Sequence, residues 1–432
     1  MPFLIVLFGI LILLLLIHFK LNAVLALLLA AIATGLMLGM PVTKLTASIN
    51  NGIGNTLGGL VMVLAFGAML GKLVEESGAA QRLVQVLVSR FKERNIQWAL
   101  LLTGILIGIP LFYNAGFVIL IPLVFSIAGT TGLPLLYLGI PMAASLSITH
   151  GFLPPHPGPM ALAAIFKANV GKTLLYGLLL TVPTAFITGI LLPKFLLQKQ
   201  KSRSAVSPVA PTETLRVLPS APRSFLVALA PVLFITIGTV GNTFFTNTYL
   251  KAACFFLQDP TIALLLSLLL ALLVLKIPTT AAMESCVRGM QNVAMLILII
   301  AAGGAFKQIL VDSGIGTLIS AEAARLQLSP LLLGWAIAAL LRIALGSATV
   351  AALTTSGIVL PFIQQGTSPE LMVLSVGAGS LMCSHVNDTG FWMFKEYFGL
   401  SVKQTFATWT VVESAISVLG LLGVLLLHSM GI

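Results

Sequence analysis

A chain of 432 residues that is 58% hydrophobic and 8% charged, with a mean hydropathy of +1.09, carries too little polar surface for a soluble domain of this size. Its formal net charge of +11 does not point to nucleic acid, because the cations lie mostly in short loops beside apolar spans and so signal membrane topology. Cys254, Cys286 and Cys383 show neither metal-type spacing nor a disulfide framework, and no metal or organic cofactor is expected.

Taken in order, apolar spans are predicted at about 3–19, 21–40 and 53–72. The first does not read as a signal peptide, since no basic segment precedes it and another span follows at once. An amphipathic stretch at 78–94 carries Arg82, Arg90, Lys92 and Arg94. The apolar run 98–128 is interrupted by Pro110 and the polar tip Tyr113-Asn114-Ala115-Gly116, which predicts two half-length helices turning back on each other. Segment 134–166 contains His150-Gly-Phe-Leu-Pro-Pro-His-Pro-Gly-Pro-Met160, whose prolines and glycines forbid a continuous helix. A clean span at 173–193 and a polar, Pro- and Ser-rich linker at 198–224 close the first half. The second half repeats the order: spans near 225–240, 260–275 and 290–310, an interfacial stretch at 314–329, an interrupted run 331–362, a broken segment 371–398 and a last span 405–428.

The parallel extends to the residues. Gly67–Gly78 (GAMLGKLVEESG) aligns without a gap on Gly303–Gly314 (GGAFKQILVDSG), Ile119–Pro122 falls on Ile358–Pro361, and Leu136–His150 runs along Leu371–His385. Shared order in two halves predicts an internal repeat, 1–197 and 225–432, joined by the linker 198–224. With the interrupted runs as re-entrant hairpins, each half crosses the membrane about five times, and an odd number inverts the second copy. Arg82 to Arg94, Lys194 to Arg203, Lys276, Arg288, Lys395 and Lys403 then share one face, and Lys251, Lys307 and Arg325 the other. The positive-inside rule makes the first face, with the linker, cytoplasmic and leaves both termini periplasmic. The fold class expected is therefore an all-α polytopic membrane protein of two inverted repeats, each with a re-entrant helical hairpin and a broken transmembrane helix.

Irregular backbone at membrane depth is tolerated only inside protein or along a water-filled cavity, and in inverted-repeat transporters such pieces meet near the midplane. Half-helix N-termini near Gly116, Gly151, Gly158 and Ser347 offer amides to an anion. Asn114, His150, Thr349, Thr355, Asn387 and Thr389 are the candidate readers of hydroxyl groups, and His156 is a further substrate-binding candidate. Asp388, a carboxylate inside an apolar segment, is the leading proton carrier, with His385 and Glu413 beside it. Glu413 equally suits a helix–helix hydrogen bond, and Arg342 suits either a substrate carboxylate or a lipid phosphate. Sodium coupling stays open, because unwound carbonyls and Ser, Thr or Asn oxygens also bind that ion. No His-Glu-x-x-His, Gly-x-Ser-x-Gly or Walker A pattern supports a hydrolase or an ATP-driven pump.

His150–Met160 (HGFLPPHPGPM), Gly346–Val350 (GSATV) and His385–Leu400 (HVNDTGFWMFKEYFGL) resemble the signatures of the gluconate:proton symporter (gluconate permease) family, over nearly the whole chain. The resemblance implies import of gluconate or a related sugar acid by proton symport across a bacterial-type inner membrane. It also implies membership of the ion transporter superfamily, whose scaffolds pair inverted repeats with re-entrant hairpins, often as homodimers with an elevator-like transport domain. Two departures stand out. Where that pattern has an acid in a Phe-Phe-Asp/Glu-Val-Gly-Phe context, this chain has Asn114 in Phe112-Tyr-Asn-Ala-Gly-Phe117, and Leu345 stands where Gln precedes the Gly-Ser-Ala-Thr-Val motif. A sodium- or proton-coupled importer of another small organic anion, or of D-serine, is the alternative. The expected partners are thus a small anionic substrate and membrane lipid.

Overall fold

The computed structural model describes residues 2–58, 60–91, 95–198, 218–314 and 329–432, and all regular structure among them is helical. The chain runs α1 (Pro2–His18), α2 (Ala23–Met37), α3 (Val42–Leu57), α4 (Val61–Glu76), α5 (Ala79–Arg90), α6 (Ile96–Gly108), α7 (Tyr113–Thr131), α8 (Leu135–Phe152), α9 (Pro157–Phe166) and α10 (Val170–Leu196). It continues with α11 (Ala221–Phe244), α12 (Thr248–Gln258), α13 (Pro260–Leu275), α14 (Thr279–Asp312), α15 (Pro330–Leu345), α16 (Ala348–Gln364), α17 (Pro369–Gly379), α18 (Thr389–Tyr397) and α19 (Val402–Ser429). Most of the linker 198–224, most of the interfacial stretch 314–329, and Lys92, Arg94, Lys199, Lys201, Arg203 and Arg325 lie outside the described residues.

Among the described residues, five helical stretches are long and apolar enough to cross a bilayer: 135–166 counted through its break, α10, α11, α14 and α19. Two bent pairs, α3 with α4 at 43° and α12 with α13 at 80°, bring the total to as many as seven. The protein is a multi-pass membrane protein. α6, with 13 residues, is about 20 Å long and falls short of a hydrocarbon core of about 30 Å.

The expected span 53–72 begins earlier and bends: α3 and α4 form one broken rod from Val42 to Glu76. Its first half, VTKLTASINNGIGNTL, is too polar for a lipid-facing span, but its small residues pack on a neighbouring helix. Likewise the expected span 290–310 is the latter part of the 34-residue α14.

These two rods cross each other at close range. A Cβ at Gly52 would run into the Gly304 carbonyl, and one at Gly289 would lie 2.6 Å from the Ala68 carbonyl oxygen. At one end of the crossing Ser48 Oγ donates to Asp312 Oδ2 (2.6 Å), while Gln308 and Lys44 hold the Asp312 side chain and carbonyl. At the other end Ser285 donates to Glu76, which Arg288 grips with both Nε and Nη2 (3.0 and 2.8 Å). Partners rise in number along one rod as they fall along the other, so the rods run antiparallel. Glycine at the close approaches lets backbone meet backbone, which drives helix association where burial from water cannot.

Candidate functional site

Prolines set the first break. α8 continues through His150 and Gly151 to Phe152, and Pro154 and Pro155, joined by a cis peptide, end it. α9 restarts at Pro157, its first helical position, where a missing N–H is harmless. The second break is longer. α17 ends at Gly379, and turns occupy 380–387 before Asp388 caps α18, its Oδ1 accepting the Gly390 N–H at 3.1 Å.

The two helical hairpins, α6/α7 and α15/α16, supply the other interruptions. α15 closes on Gly346 at φ +75°, where a side chain would also collide with the Asn387 backbone. Ser347 then caps α16 by accepting from Val350 N (3.4 Å). Asn387 Nδ2 and His385 Nε2 each donate to the Ile343 carbonyl at 2.8 Å, tying the second break to the hairpin.

A cavity of about 690 Å³ opens between these pieces. The first turns of α7 (Tyr113, Asn114, Ala115), α9 (Pro157), α16 (Ala348, Thr349) and α18 (Thr389, Gly390) all line it. Each helix N-terminus carries roughly half a positive charge, so their convergence favours an anion. The size suits a small molecule.

Two acids and one cation define the polar wall. Arg342, in the last turn of α15, donates from Nη2 to Asp388 Oδ2 at 2.5 Å, and the side chains are 4% and 14% exposed. The other Arg342 donors, Nε and Nη1, have no acceptor among the described residues. Asp388 is fully engaged: Ser384 Oγ also donates to Oδ2, while Trp409 Nε1 donates to Ser384 Oγ (2.9 Å) and Thr410 to the Ser384 carbonyl (2.6 Å). Glu413 lies a turn beyond Trp409 in α19, only 2% exposed, on the same cavity, with Oε1 unpartnered. Arg342, Asp388 and the Ser147 hydroxyl are its near neighbours.

Of the residues singled out from sequence, Asn114, His150, Arg342, Ser347, Thr349, Asn387, Asp388, Thr389 and Glu413 come together on this cavity. The others do not. Gly151 sits in the last turn of α8 and so presents no free helix N-terminus, and Gly116 already donates its N–H to the Phe112 carbonyl at 2.9 Å. Gly151 and Gly158 line a much smaller void between α8, α9 and α16. His156 is buried behind the cavity and donates from Nε2 to the Gly108 carbonyl. The Thr355 hydroxyl is turned back to the Ala351 carbonyl inside α16 (2.8 Å). His385 stacks on Phe406 and serves the hairpin carbonyl.

Four lining residues with a polar side-chain group are not among the sequence candidates: Tyr113, Ser147, Asn292 and Trp409. Asn292 had a signal, being an amide inside the apolar part of α14. Ser147 and Trp409 carry none that separates them from ordinary helix residues. Among the described residues no group of three or more His, Cys, Asp or Glu side chains is placed to hold a metal.

Residues 1–430 match the family described as GntP family permease. The chain belongs to that family. It is 48% identical over 438 residues to the Gnt-II system L-idonate transporter of Escherichia coli K12, with 99% of each chain covered. It is 47% identical over 436 residues to a high-affinity gluconate transporter of the same organism, and 45% identical over 444 residues to the gluconate permease of Bacillus subtilis 168, again with 99% of each chain covered. In fold this GntP permease is similar to the YdaH transporter of Alcanivorax borkumensis (TM-score 0.61, 18% identity, 87% and 86% covered). It is also similar to MtrF of Neisseria gonorrhoeae (TM-score 0.62, 19% identity, 88% and 82% covered). As a GntP permease the protein is a transporter and not an enzyme.

Proposed function

We propose that this permease imports gluconate, L-idonate or a closely related sugar acid by proton symport. The observation that carries the reading is Arg342: a buried guanidinium beside the cavity, half committed to Asp388 and half without an acceptor. The substrate carboxylate takes the free Nε and Nη1 edge, helped by the N-termini of α7 and α16. Asn114, His150, Ser347, Thr349, Asn387 and Thr389 line the remainder and meet the hydroxyls.

Charge counting gives the coupling. One cation faces two fixed carboxylates, Asp388 and Glu413, and the substrate adds a third. Asp388 is already neutralised by Arg342, so an ionised Glu413 would repel the incoming anion and compete with it for the same guanidinium. A protonated Glu413 does neither. Proton and substrate therefore bind together, which makes the cycle a symport. Glu413 takes the carrier role here in preference to Asp388, whose oxygens are occupied by Ser384, Arg342 and Gly390, and to His385, whose Nε2 is committed to the Ile343 carbonyl.

The architecture proposed is two inverted repeats, 1–197 and 225–432, with α6/α7 and α15/α16 as re-entrant hairpins and 198–224 as a cytoplasmic linker. The rod crossing supports inversion. On the alignment of Gly67–Gly78 with Gly303–Gly314, Glu76 falls on Asp312 and Ala68 on Gly304. Ser285–Glu76 then mirrors Ser48–Asp312, and Gly289–Ala68 mirrors Gly52–Gly304. Reciprocal contacts of this kind are what a two-fold axis between antiparallel copies produces. Sidedness follows: Lys44, Asp312 and the Asn169–Glu370 contact gather at the periplasmic end, and Glu76, Arg288 and the Gly78–Leu218 contact at the cytoplasmic end. A bacterial inner membrane, periplasmic termini, homodimer assembly and elevator-like movement complete the reading.

The substrate class is tested by uptake of labelled gluconate into proteoliposomes, with L-idonate, a dicarboxylate and D-serine as competitors. Gluconate and L-idonate are expected to compete within about one order of magnitude of each other. Uptake of D-serine or the dicarboxylate without uptake of gluconate would replace this substrate with the alternative one.

A further inference from the structure

The proposed site leaves one polar group unused. The Tyr113 hydroxyl is buried, makes no hydrogen bond among the described residues, and belongs to a side chain lining the cavity. A buried donor without an acceptor is costly and calls for an occupant. The ring cannot readily swing elsewhere, because Phe117 and Trp409 flank it with ring centroids 5.8 Å away on each side. Glu413 and Asp388 are both close enough to the phenol to act on it electrostatically, yet neither accepts its proton, and Glu413 Oε1 is itself unpartnered. An unpartnered donor and an unpartnered acceptor, both buried, thus belong to side chains that line the same cavity as Arg342 and Asp388.

We infer that Tyr113 selects substrates bearing a hydroxyl on the carbon next to the carboxylate. A hydroxyl both accepts and donates, so one such group takes the Tyr113 proton and gives its own to Glu413 Oε1, satisfying both orphans. With the substrate carboxylate on Arg342, the atom that reaches between Tyr113 and Glu413 is the neighbouring carbon's oxygen. The inference rests on the sugar-acid reading above and narrows it to 2-hydroxy acids. A 2-deoxy analogue would leave both protein groups unpaired, a situation that discriminates more strongly than a missing methylene.

The test is competition of labelled gluconate uptake by unlabelled gluconate and by 2-deoxygluconate, in wild type and Tyr113→Phe. The substitution keeps the ring and its stacking and removes only the oxygen. Wild type is expected to prefer gluconate by about tenfold or more, and Tyr113→Phe to shrink that preference to about twofold, mainly by losing affinity for gluconate. Because the readout is a ratio of two ligands on one preparation, the amount of folded protein drops out. An unchanged ratio overturns the inference, as does an equal loss for both ligands, which would put the phenol on the carboxylate. A shifted pH profile at constant ratio also overturns it, since the hydroxyl would then serve Glu413 alone. Wild-type uptake separates the two readings: present with an unchanged ratio, it rejects this inference alone; absent, it rejects the sugar-acid reading and this inference with it.

Discussion

Arg342 Nη2 meets Asp388 Oδ2 across 2.5 Å, although the residues stand 46 positions apart and come from the hairpin arm α15 and the cap of α18. The pair pins the second break against the hairpin and leaves Nε and Nη1 of the guanidinium buried and without an acceptor among the described residues, on a side chain that lines the cavity. Removing one member of a buried pair strands the other, at a cost of about 3–5 kcal/mol. Asp388→Asn and Arg342→Gln are each expected to lower thermal stability in detergent and to depress uptake at least tenfold. Replacing both together, Arg342→Met with Asp388→Leu, should recover much of the stability and none of the transport. Gluconate uptake by the double variant would show that the pair is structural only.

Glu413→Gln mimics the protonated acid permanently. Substrate binding and exchange of internal for external gluconate should persist, because the guanidinium has no competitor. Net accumulation driven by a proton gradient should fall to the background of empty liposomes. In wild type, substrate affinity is expected to rise as pH falls, since protonation removes the competing charge; in Glu413→Gln that dependence should flatten. Retained pH dependence in the variant would move the proton to another group.

The rod crossing makes a prediction about sidedness. Ser48 bonds Asp312 at one end and Ser285 bonds Glu76 at the other. Ser48 and Ser285 are themselves buried, so a membrane-impermeant thiol reagent should label a Cys at the nearby exposed Thr43 from the periplasm and one at the exposed Glu284 from the cytoplasm, in a background with Cys254, Cys286 and Cys383 replaced by Ser. Labelling of both from one side would reject the inverted arrangement. At the close approach itself, Gly289→Leu has to force α14 away from the Ala68 carbonyl, so a loss of about 1–3 kcal/mol and poor recovery of folded protein are expected.

How far the sequence could be read depends on what kind of signal each feature leaves. The breaks are written in prolines, and Pro154, Pro155 and Pro157 placed the first one correctly to within a turn, although His150 and Gly151 remained helical. The match of Gly67–Gly78 to Gly303–Gly314 is visible because glycines and acids recur at fixed positions, and the two aligned acids, Glu76 and Asp312, each accept from a serine across the rod crossing. The helix Val42–Leu57 is not legible in hydropathy because only Leu45, Ser48, Gly52 and Thr56 are buried, while Thr43, Lys44, Thr46, Asn50, Asn51 and Asn55 are polar and exposed. Arg342 and Asp388 were each suspected singly, yet no local pattern joins residues so far apart. Tyr113 was passed over because an orphan hydroxyl is a property of its surroundings, which exist only once α7 meets α19.

The coupling claim is tested most directly by loading purified protein into liposomes and imposing an inward proton gradient with no membrane potential and no sodium. The account predicts that labelled gluconate accumulates above its external concentration, that a protonophore abolishes the accumulation, and that internal pH falls in step with gluconate entry. Accumulation that requires a sodium gradient at matched pH, or gluconate entry that never exceeds equilibration and leaves internal pH unmoved, would contradict it.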